Sequence, residues 1–182
     1  MILVCLADGF EEIEALATVD VLRRAGLTVR TVGIGGEKIT GSHGIEVTAD
    51  CREDALPALD ALQAVVLPGG MPGTKNLMDS PTVDALLRQA QARGALLCAI
   101  CAAPSVLGQK GYLQGKKATC YPGFEKYLTG AQPLGEGYMV VTDGRCITAK
   151  GAGVAIDFGL AIVQALLSTE KAEKLWSDMQ CR

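Results

Sequence analysis

Short, uninterrupted apolar runs that end in glycine or other small residues constrain the fold of this chain more than any other feature. Three such runs cover residues 1–7, 64–67 and 95–100. A run of this length without polar alternation is typical of a strand buried on both faces of a parallel sheet. Segments with helical patterns separate the runs. We therefore predict an α/β fold, a doubly wound and mostly parallel sheet with helices on both faces and small β-hairpins.

Local signals place the other elements. Apolar periodicity predicts helices over residues 11–25, 80–93, 102–110, 151–167 and 170–179. Ser80 can cap the second of these helices, and Pro81 suits its first position. Asp143-Gly144 predicts a two-residue hairpin turn between segments 138–142 and 145–149. The chain shows no linker or repeat, so residues 1–182 are expected to form one domain.

Charge and composition exclude several classes of protein. The net charge is −3 and the basic residues are scattered, so nothing favours nucleic acid as a partner. No apolar run approaches the ~20 residues that span a membrane, and the N-terminus lacks signal-peptide features. Seven cysteines at irregular spacing argue against a disulfide framework, and a single histidine leaves a zinc site poorly supplied. We expect a cytoplasmic protein without a metal, a cofactor or a membrane partner.

Three chemically distinctive segments directly follow predicted strands. Residues 8–14 are rich in carboxylates, residues 68–70 are Pro-Gly-Gly, and residues 101–104 begin with a cysteine. Ligands of open α/β sheets bind beyond the carboxyl ends of the strands. These segments are therefore expected to share one edge of the sheet.

Cys101 lies where a predicted strand turns sharply into a helix. Such a turn exposes a nucleophile, and the free N–H groups of the helix start favour a thiolate, so we expect a lowered thiol pKa. On the residues alone, a buried structural cysteine is an equally good interpretation. Cys98 is expected in the core, because extended residues three apart are ~10 Å apart, too far for a disulfide.

The neighbouring loops allow both a structural and a chemical interpretation. Glu11 and Glu12 are explained as acids at a helix N-terminus, whereas Glu14, one turn later, could share a proton with Cys101. The glycine loop is either a plain turn or a source of backbone N–H groups for an oxyanion. His43 is expected to be a polar surface residue in a hairpin.

Four motifs in order resemble the ThiJ/PfpI superfamily over essentially the whole chain. They are A-D-G-F-E-E-I-E at 7–14, V-L-P-G-G at 66–70, A-I-C-A-A-P at 99–104 and K-G-A-G-V-A-I-D-F-G-L-A-I-V at 150–163. The resemblance implies a flavodoxin-like fold, akin to class I glutamine amidotransferases, and usually a homodimer. It also implies that Cys101 is a readily oxidised nucleophile, Glu14 its hydrogen-bonding carboxyl group, and Gly70 and Ala102 the backbone donors.

This chain departs from the pattern of the superfamily at several pocket positions. Ala102 stands where the peptidase-like and large glyoxalase branches have a histidine, which disfavours proteolysis. His43 and Lys150 stand where arginine is common, and Tyr121 where some relatives have histidine. Together with Gly69 they form a possible pocket, although lysine lacks the bidentate fork of arginine.

The resemblance and the shared edge together predict a cysteine-dependent enzyme. The expected substrates are reactive dicarbonyls or their protein and nucleotide adducts, in a glyoxalase- or deglycase-like reaction linked to oxidative and carbonyl stress. The alternative is a redox sensor or chaperone whose Cys101 oxidises to sulfinate. A binding protein with a vestigial site is a third interpretation.

Overall fold

The computed structural model describes residues 1–181. Its strands are β1 (Ile2–Ala7), β2 (Val29–Ile34), β3 (Lys38–Thr40), β4 (Glu46–Thr48), β5 (Cys51–Arg52), β6 (Ala64–Leu67), β7 (Leu96–Ile100), β8 (Lys117–Ala118), β9 (Gln132–Pro133), β10 (Val140–Asp143) and β11 (Cys146–Ala149). Its α-helices are α1 (Glu12–Arg24), α2 (Gly73–Asp79), α3 (Pro81–Ala92), α4 (Pro104–Gln109), α5 (Ala155–Leu166) and α6 (Thr169–Asp178). Two 3₁₀ turns cover Glu125–Tyr127 and Ala152–Val154.

Seven strands form the central sheet in the order β10-β11-β7-β6-β1-β2-β5. All neighbours are parallel except β10 and β11. The chain runs outward from β1 through β2 in one direction and returns at β6 on the other side of β1. The carboxyl ends of β1, β6 and β7 therefore meet where the strand order reverses, as ligand sites in such sheets require.

Alternate side chains of the central strands enter two separate cores. In β1, Ile2, Val4 and Leu6 face the core that α1, α5 and α6 cover, while Leu3 and Cys5 face the core of α2, α3 and α4. The strands β1, β6 and β7 are thus buried on both faces, which is why they show no polar alternation. The predicted α/β fold with helices on both faces is confirmed. Within residues 1–181, no helix has the length and apolar character to cross a membrane.

Predicted caps and breaks set the bounds of two helices. Ser80 accepts a hydrogen bond from the Val83 N–H at 3.2 Å, and Pro81 is the first residue of α3, as predicted. Gly26, at φ 85°, follows the end of α1 and takes the left-handed conformation that other residues avoid. Cys98 is fully buried in β7, as expected.

Three elements differ from the sequence predictions. The sequence predicts no helix over the residues of α2, because Leu77 is its only buried large apolar residue and a Pro/Gly-rich segment precedes it. In the β10–β11 hairpin, Asp143 pairs with Cys146, so the turn residues are Gly144 and Arg145 instead of Asp143 and Gly144. Gly144 supplies the positive φ of 60° at the first turn position. Helix α5 begins at Ala155, after an extended Gly151 and a 3₁₀ turn.

Candidate active site

Cys101 occupies a strained turn between β7 and α4. Its φ is 65°, a left-handed conformation that is uncommon for a residue other than glycine. The backbone is held there from both sides, because the Cys101 N–H donates to the Ala149 carbonyl at 2.9 Å and its carbonyl accepts from the Tyr121 N–H at 2.8 Å. The side chain is half-buried. The sharp strand-to-helix turn that the sequence predicted at Cys101 is therefore present.

The backbone N–H groups of Ala102 and Gly70 lie close enough to the Cys101 sulfur to lower the pKa of its thiol. The expected helix N-terminus contributes less, because α4 starts only at Pro104 and has six residues. The donors instead come from two loops that the sheet brings together. Gly70, at φ 87°, reaches this position because it has no side chain, since a Cβ there would lie 2.4 Å from the Gly9 carbonyl oxygen.

Gly69 allows Cys101 and Glu14 to approach each other. A Cβ on Gly69 would lie 2.7 Å from the Cys101 Cβ and 2.7 Å from Glu14 Oε2. The Gly69 N–H donates to the same Oε2 at 2.8 Å. The glycine loop is therefore part of the site and not a plain turn.

Glu14 projects from the first turn of α1 into this space and is 1% exposed. Its backbone N–H donates to Glu11 Oε2 at 2.7 Å, which makes Glu11 the N-cap of the helix. Its Oε1 is buried and has no hydrogen-bond partner among the described residues, while the nearby Cys101 side chain lowers the pKa of the carboxyl group. The structure thus brings together Cys101, Glu14, Gly69, Gly70 and Ala102.

The pKa values of Glu14 and Cys101 are both shifted upward. Burial raises the pKa of Glu14 to about 7, against the lowering effect of hydrogen bonds from Cys101 and Gly69. Burial and then the Glu14 carboxylate raise the pKa of the Cys101 thiol to about 12, against the N–H groups of Ala102 and Gly70. The expected lowering of the thiol pKa is therefore wrong when Glu14 is ionised. The pair favours a single shared negative charge over two.

Glu12 has a larger role than the helix-end acid that the sequence suggested. It is buried, and its carboxylate accepts from the His43 N–H at 2.7 Å and contacts His43 Nδ1 at 2.9 Å. Burial raises the pKa of Glu12, but these bonds outweigh it and hold the value at about 2. The same contact raises the pKa of His43, whose side chain is exposed. His43 thus fastens the β3–β4 hairpin to α1 and is not among the hydrogen-bonding partners of Cys101.

Glu11, Glu12 and His43 offer three potential metal-ligand atoms within 4.8 Å of one another. The Glu11 carboxylate already accepts a hydrogen bond from the Glu14 N–H, and the Glu12 carboxylate accepts one from the His43 N–H in the hairpin. The cluster is therefore explained by its contacts within the protein.

Tyr121 and Lys150 line an apolar cavity of about 440 Å³ together with Met139 and Gly151. The Tyr121 ring lies against Gly151, and Lys150 Nζ donates to the Glu136 carbonyl at 3.0 Å. The backbone of Tyr121 is bonded to Cys101, so this cavity adjoins the cysteine turn. His43 makes its side-chain contacts elsewhere, and the proposed pocket residues therefore do not form one group.

The sequence model of the DJ-1/PfpI family matches residues 1–165 of this chain. The chain belongs to the DJ-1/PfpI family. It is 40% identical to Drosophila melanogaster protein dj-1beta over 174 residues, 95% of this chain and 92% of that protein. It is 35% identical to the Caenorhabditis elegans glutathione-independent glyoxalase DJR-1.2 over 166 residues, 91% and 87% of the two chains.

Solved structures show the same architecture. Oxidized Toxoplasma gondii DJ-1 superposes with a TM-score of 0.91 at 34% identity, covering 98% of this chain and 97% of that one. The DJ-1/PfpI match includes every segment that contributes to the Cys101 turn, from residues 8–14 to Lys150.

Proposed function

We propose that this chain is a glutathione-independent glyoxalase that converts small α-oxoaldehydes to α-hydroxy acids with Cys101 as the nucleophile. The observation that carries the proposal is the close approach of Cys101 and the buried Glu14 on either side of Gly69, which places a carboxyl group able to exchange protons beside the sulfur. Glyoxalase action of the 35% identical Caenorhabditis elegans relative supports it.

The proposed reaction begins when the Cys101 thiolate adds to the aldehyde carbon. The carbonyl electron pair moves to oxygen, and the N–H groups of Gly70 and Ala102 stabilise the hemithioacetal oxyanion. While Cys101 is a thiolate, Glu14 holds the shared proton, and it gives that proton to the oxyanion and becomes a carboxylate. Glu14 then removes the proton from the former aldehyde carbon and returns it to the neighbouring ketone carbon, while the hydroxyl proton moves to the ketone oxygen. The resulting α-hydroxy thioester is hydrolysed by water, which releases the thiol and, from methylglyoxal, lactate. Aldehyde oxidation and ketone reduction balance, so no external oxidant is needed.

The same addition extends to adducts of dicarbonyls. A hemithioacetal or aminocarbinol formed by methylglyoxal on a protein or nucleotide carries the same hydroxyl-bearing carbon. Deglycase activity would then require only that Cys101 reach that carbon as the adduct dissociates. A role in carbonyl stress follows from these substrates.

Lactate formation from methylglyoxal without glutathione tests the proposal. The wild-type protein should form lactate, and Cys101→Ser should reduce the rate by at least about 100-fold, the lower range for loss of a covalent nucleophile. Cys181→Ser, a change at another partly exposed cysteine, is the matched control and should keep the wild-type rate. Wild-type consumption by Cys101→Ser would refute the mechanism.

A redox role is a second candidate, favoured by the two N–H donors that face the Cys101 sulfur. In a sulfinate these donors and a protonated Glu14 would hold the added oxygens. The oxidized state of the Toxoplasma gondii relative supports this possibility. Limited peroxide followed by peptide mass spectrometry should add oxygen to Cys101 before any other cysteine, and earlier oxidation of Cys51 or Cys181 would exclude a sensor role.

We also propose that the chain acts in the cytoplasm as a homodimer. The side chains of Ile13, Leu16 and Ile45 are exposed along α1 and the adjoining hairpin, an apolar surface that a second copy would cover. Light scattering should show a dimer that Ile13→Asp weakens. Trp176→Asp, at an exposed apolar residue of α6, should leave the dimer intact, whereas a wild-type monomer would exclude this assembly.

A further inference from the structure

A second cavity lies between α2, α4 and the 3₁₀ turn Glu125–Tyr127, and Met71 of the glycine loop forms part of its wall. Its volume is about 330 Å³, within the usual range for small-molecule pockets. Four of its wall residues have large apolar or aromatic side chains. We call it the aryl pocket and define it by Met71, Met78, Phe124 and Tyr127.

The walls of the aryl pocket are attached to the backbone around Cys101. Met71 directly follows Gly70, one of the two N–H donors. Ser105, also in the wall, donates its hydroxyl hydrogen to the carbonyl of Ala102, the other donor, at 2.6 Å. The Phe124 N–H donates to the Tyr121 carbonyl at 3.1 Å, and Tyr121 is bonded in turn to Cys101. Three residues of the pocket wall, Met71, Ser105 and Phe124, are therefore connected to the backbone around Cys101.

The surface of the aryl pocket suits a flat apolar group. Phe124 and Tyr127 form a tilted aromatic pair with ring centroids 5.8 Å apart and an interplanar angle of 57°. Met71 is 54% exposed although it is large and apolar. Thioether side chains adapt their shape and make favourable contacts with aromatic rings. A ring placed between Met71 and the aromatic pair would bury apolar surface that is now in contact with water.

We propose that the aryl pocket binds the aromatic substituent of an aryl α-oxoaldehyde whose aldehyde carbon reacts with Cys101. This inference rests on the proposed glyoxalase function. It adds to that function a substrate class, the aryl α-oxoaldehydes, which the aryl pocket would recognise. Methylglyoxal, with a single methyl group, is too short to use the pocket.

Paired methionine variants test the proposal through substrate preference. Initial rates are measured with phenylglyoxal and with methylglyoxal. Met71→Gln keeps the length of the side chain and removes its apolar character, and we expect about a tenfold fall in kcat/KM for phenylglyoxal with less than about a twofold change for methylglyoxal. Met139→Gln is the matched control, because Met139 is 48% exposed and lines the other cavity beside Tyr121.

The control decides between the two cavities. Met139→Gln should keep both rates. An equal fall of both substrates in Met71→Gln, or a selective loss of phenylglyoxal in Met139→Gln, would overturn the assignment.

Binding of acetophenone separates this inference from the proposed function, since this ketone has no aldehyde carbon to react. In wild-type protein with ¹³C-methyl methionine, acetophenone should shift the Met71 and Met78 resonances saturably and leave Met139 unchanged. A shift confined to Met139, or none, overturns the aryl pocket even if methylglyoxal is consumed. Shifts at Met71 and Met78 without turnover of either aldehyde would support the pocket and refute the glyoxalase proposal.

Discussion

Replacement of Glu14 by glutamine is expected to change the shape of the pH profile of Cys101 reactivity. In the wild-type protein the thiol and the carboxyl group lose their first proton as a pair. If Glu14 were the only group that could lose this first proton, the pKa would be about 7. Because the Cys101 thiol can also lose it, the first pKa of the pair is no higher than that value. The second proton leaves only near pH 12, because burial disfavours the thiolate and the carboxylate of Glu14 repels it.

These two deprotonation steps predict a plateau in the reactivity of Cys101 between the two pKa values. Between them the pair carries one negative charge, and the fraction of that charge on sulfur does not depend on pH. The alkylation rate of wild-type Cys101 should therefore rise by no more than about twofold between pH 7 and pH 9. In Glu14→Gln the thiol titrates alone, with burial raising its pKa and two N–H donors lowering it. A single pKa above about 8 would give at least a tenfold rise over the same range.

Iodoacetamide alkylation read by peptide mass spectrometry measures Cys101 separately from the other cysteines. Glu125→Gln is a matched control, because Glu125 raises the pKa of Cys120 and is not among the groups that shift Cys101. Its Cys101 profile should equal that of the wild type. A tenfold wild-type rise between pH 7 and pH 9, or identical profiles for wild type and Glu14→Gln, would refute the shared proton.

Three further results are expected. Because the pKa of Glu14 is raised from 4.5 to about 7 in the folded protein, its contribution to stability is complete below pH 4.5 and is lost as the pH rises to 7. Urea unfolding should therefore show that the free energy of unfolding falls by up to about 3 kcal/mol over this range, and Glu14→Gln should abolish the fall. Gly69→Ala should destabilise the fold by about 1–3 kcal/mol and alter the Cys101 profile, since its Cβ would lie 2.7 Å from Cys101 Cβ; unchanged unfolding and alkylation would contradict this. Glu12→Gln should return the raised pKa of His43 to its ordinary 6.5 in an NMR titration, and a value that stays raised would show that Glu12 is not the cause.

The strands around the site could be predicted because their burial determines which residue types occupy them. β1, β6 and β7 are covered by helices on both faces, so every position is apolar and the runs are unambiguous. Short elements have no recognisable apolar pattern in the sequence. α2 buries one large apolar side chain, and β5 and β9 have two residues each, so no periodicity can develop.

The residues of the site could be predicted better than their ionisation. Cys101 and Gly70 directly follow strands, and Glu14 lies one turn into a helix that follows a strand, so topology alone brings them to one edge. The pKa of a thiol depends instead on its burial and on a carboxylate that is distant in sequence. The role of Glu12 was missed for the same reason: its hydrogen-bonding partner, His43, comes from a hairpin about thirty residues later, and no local pattern records the pairing.

The strained backbone at Cys101 explains why so much of the chain contributes to one residue. A positive φ at cysteine costs on the order of 1–3 kcal/mol and persists only where the surroundings impose it. The Ala149 carbonyl at the end of β11 fixes the amide of Cys101, and the Tyr121 N–H fixes its carbonyl. Residues 121 and 149 therefore act on the cysteine through its backbone, whatever their side chains are.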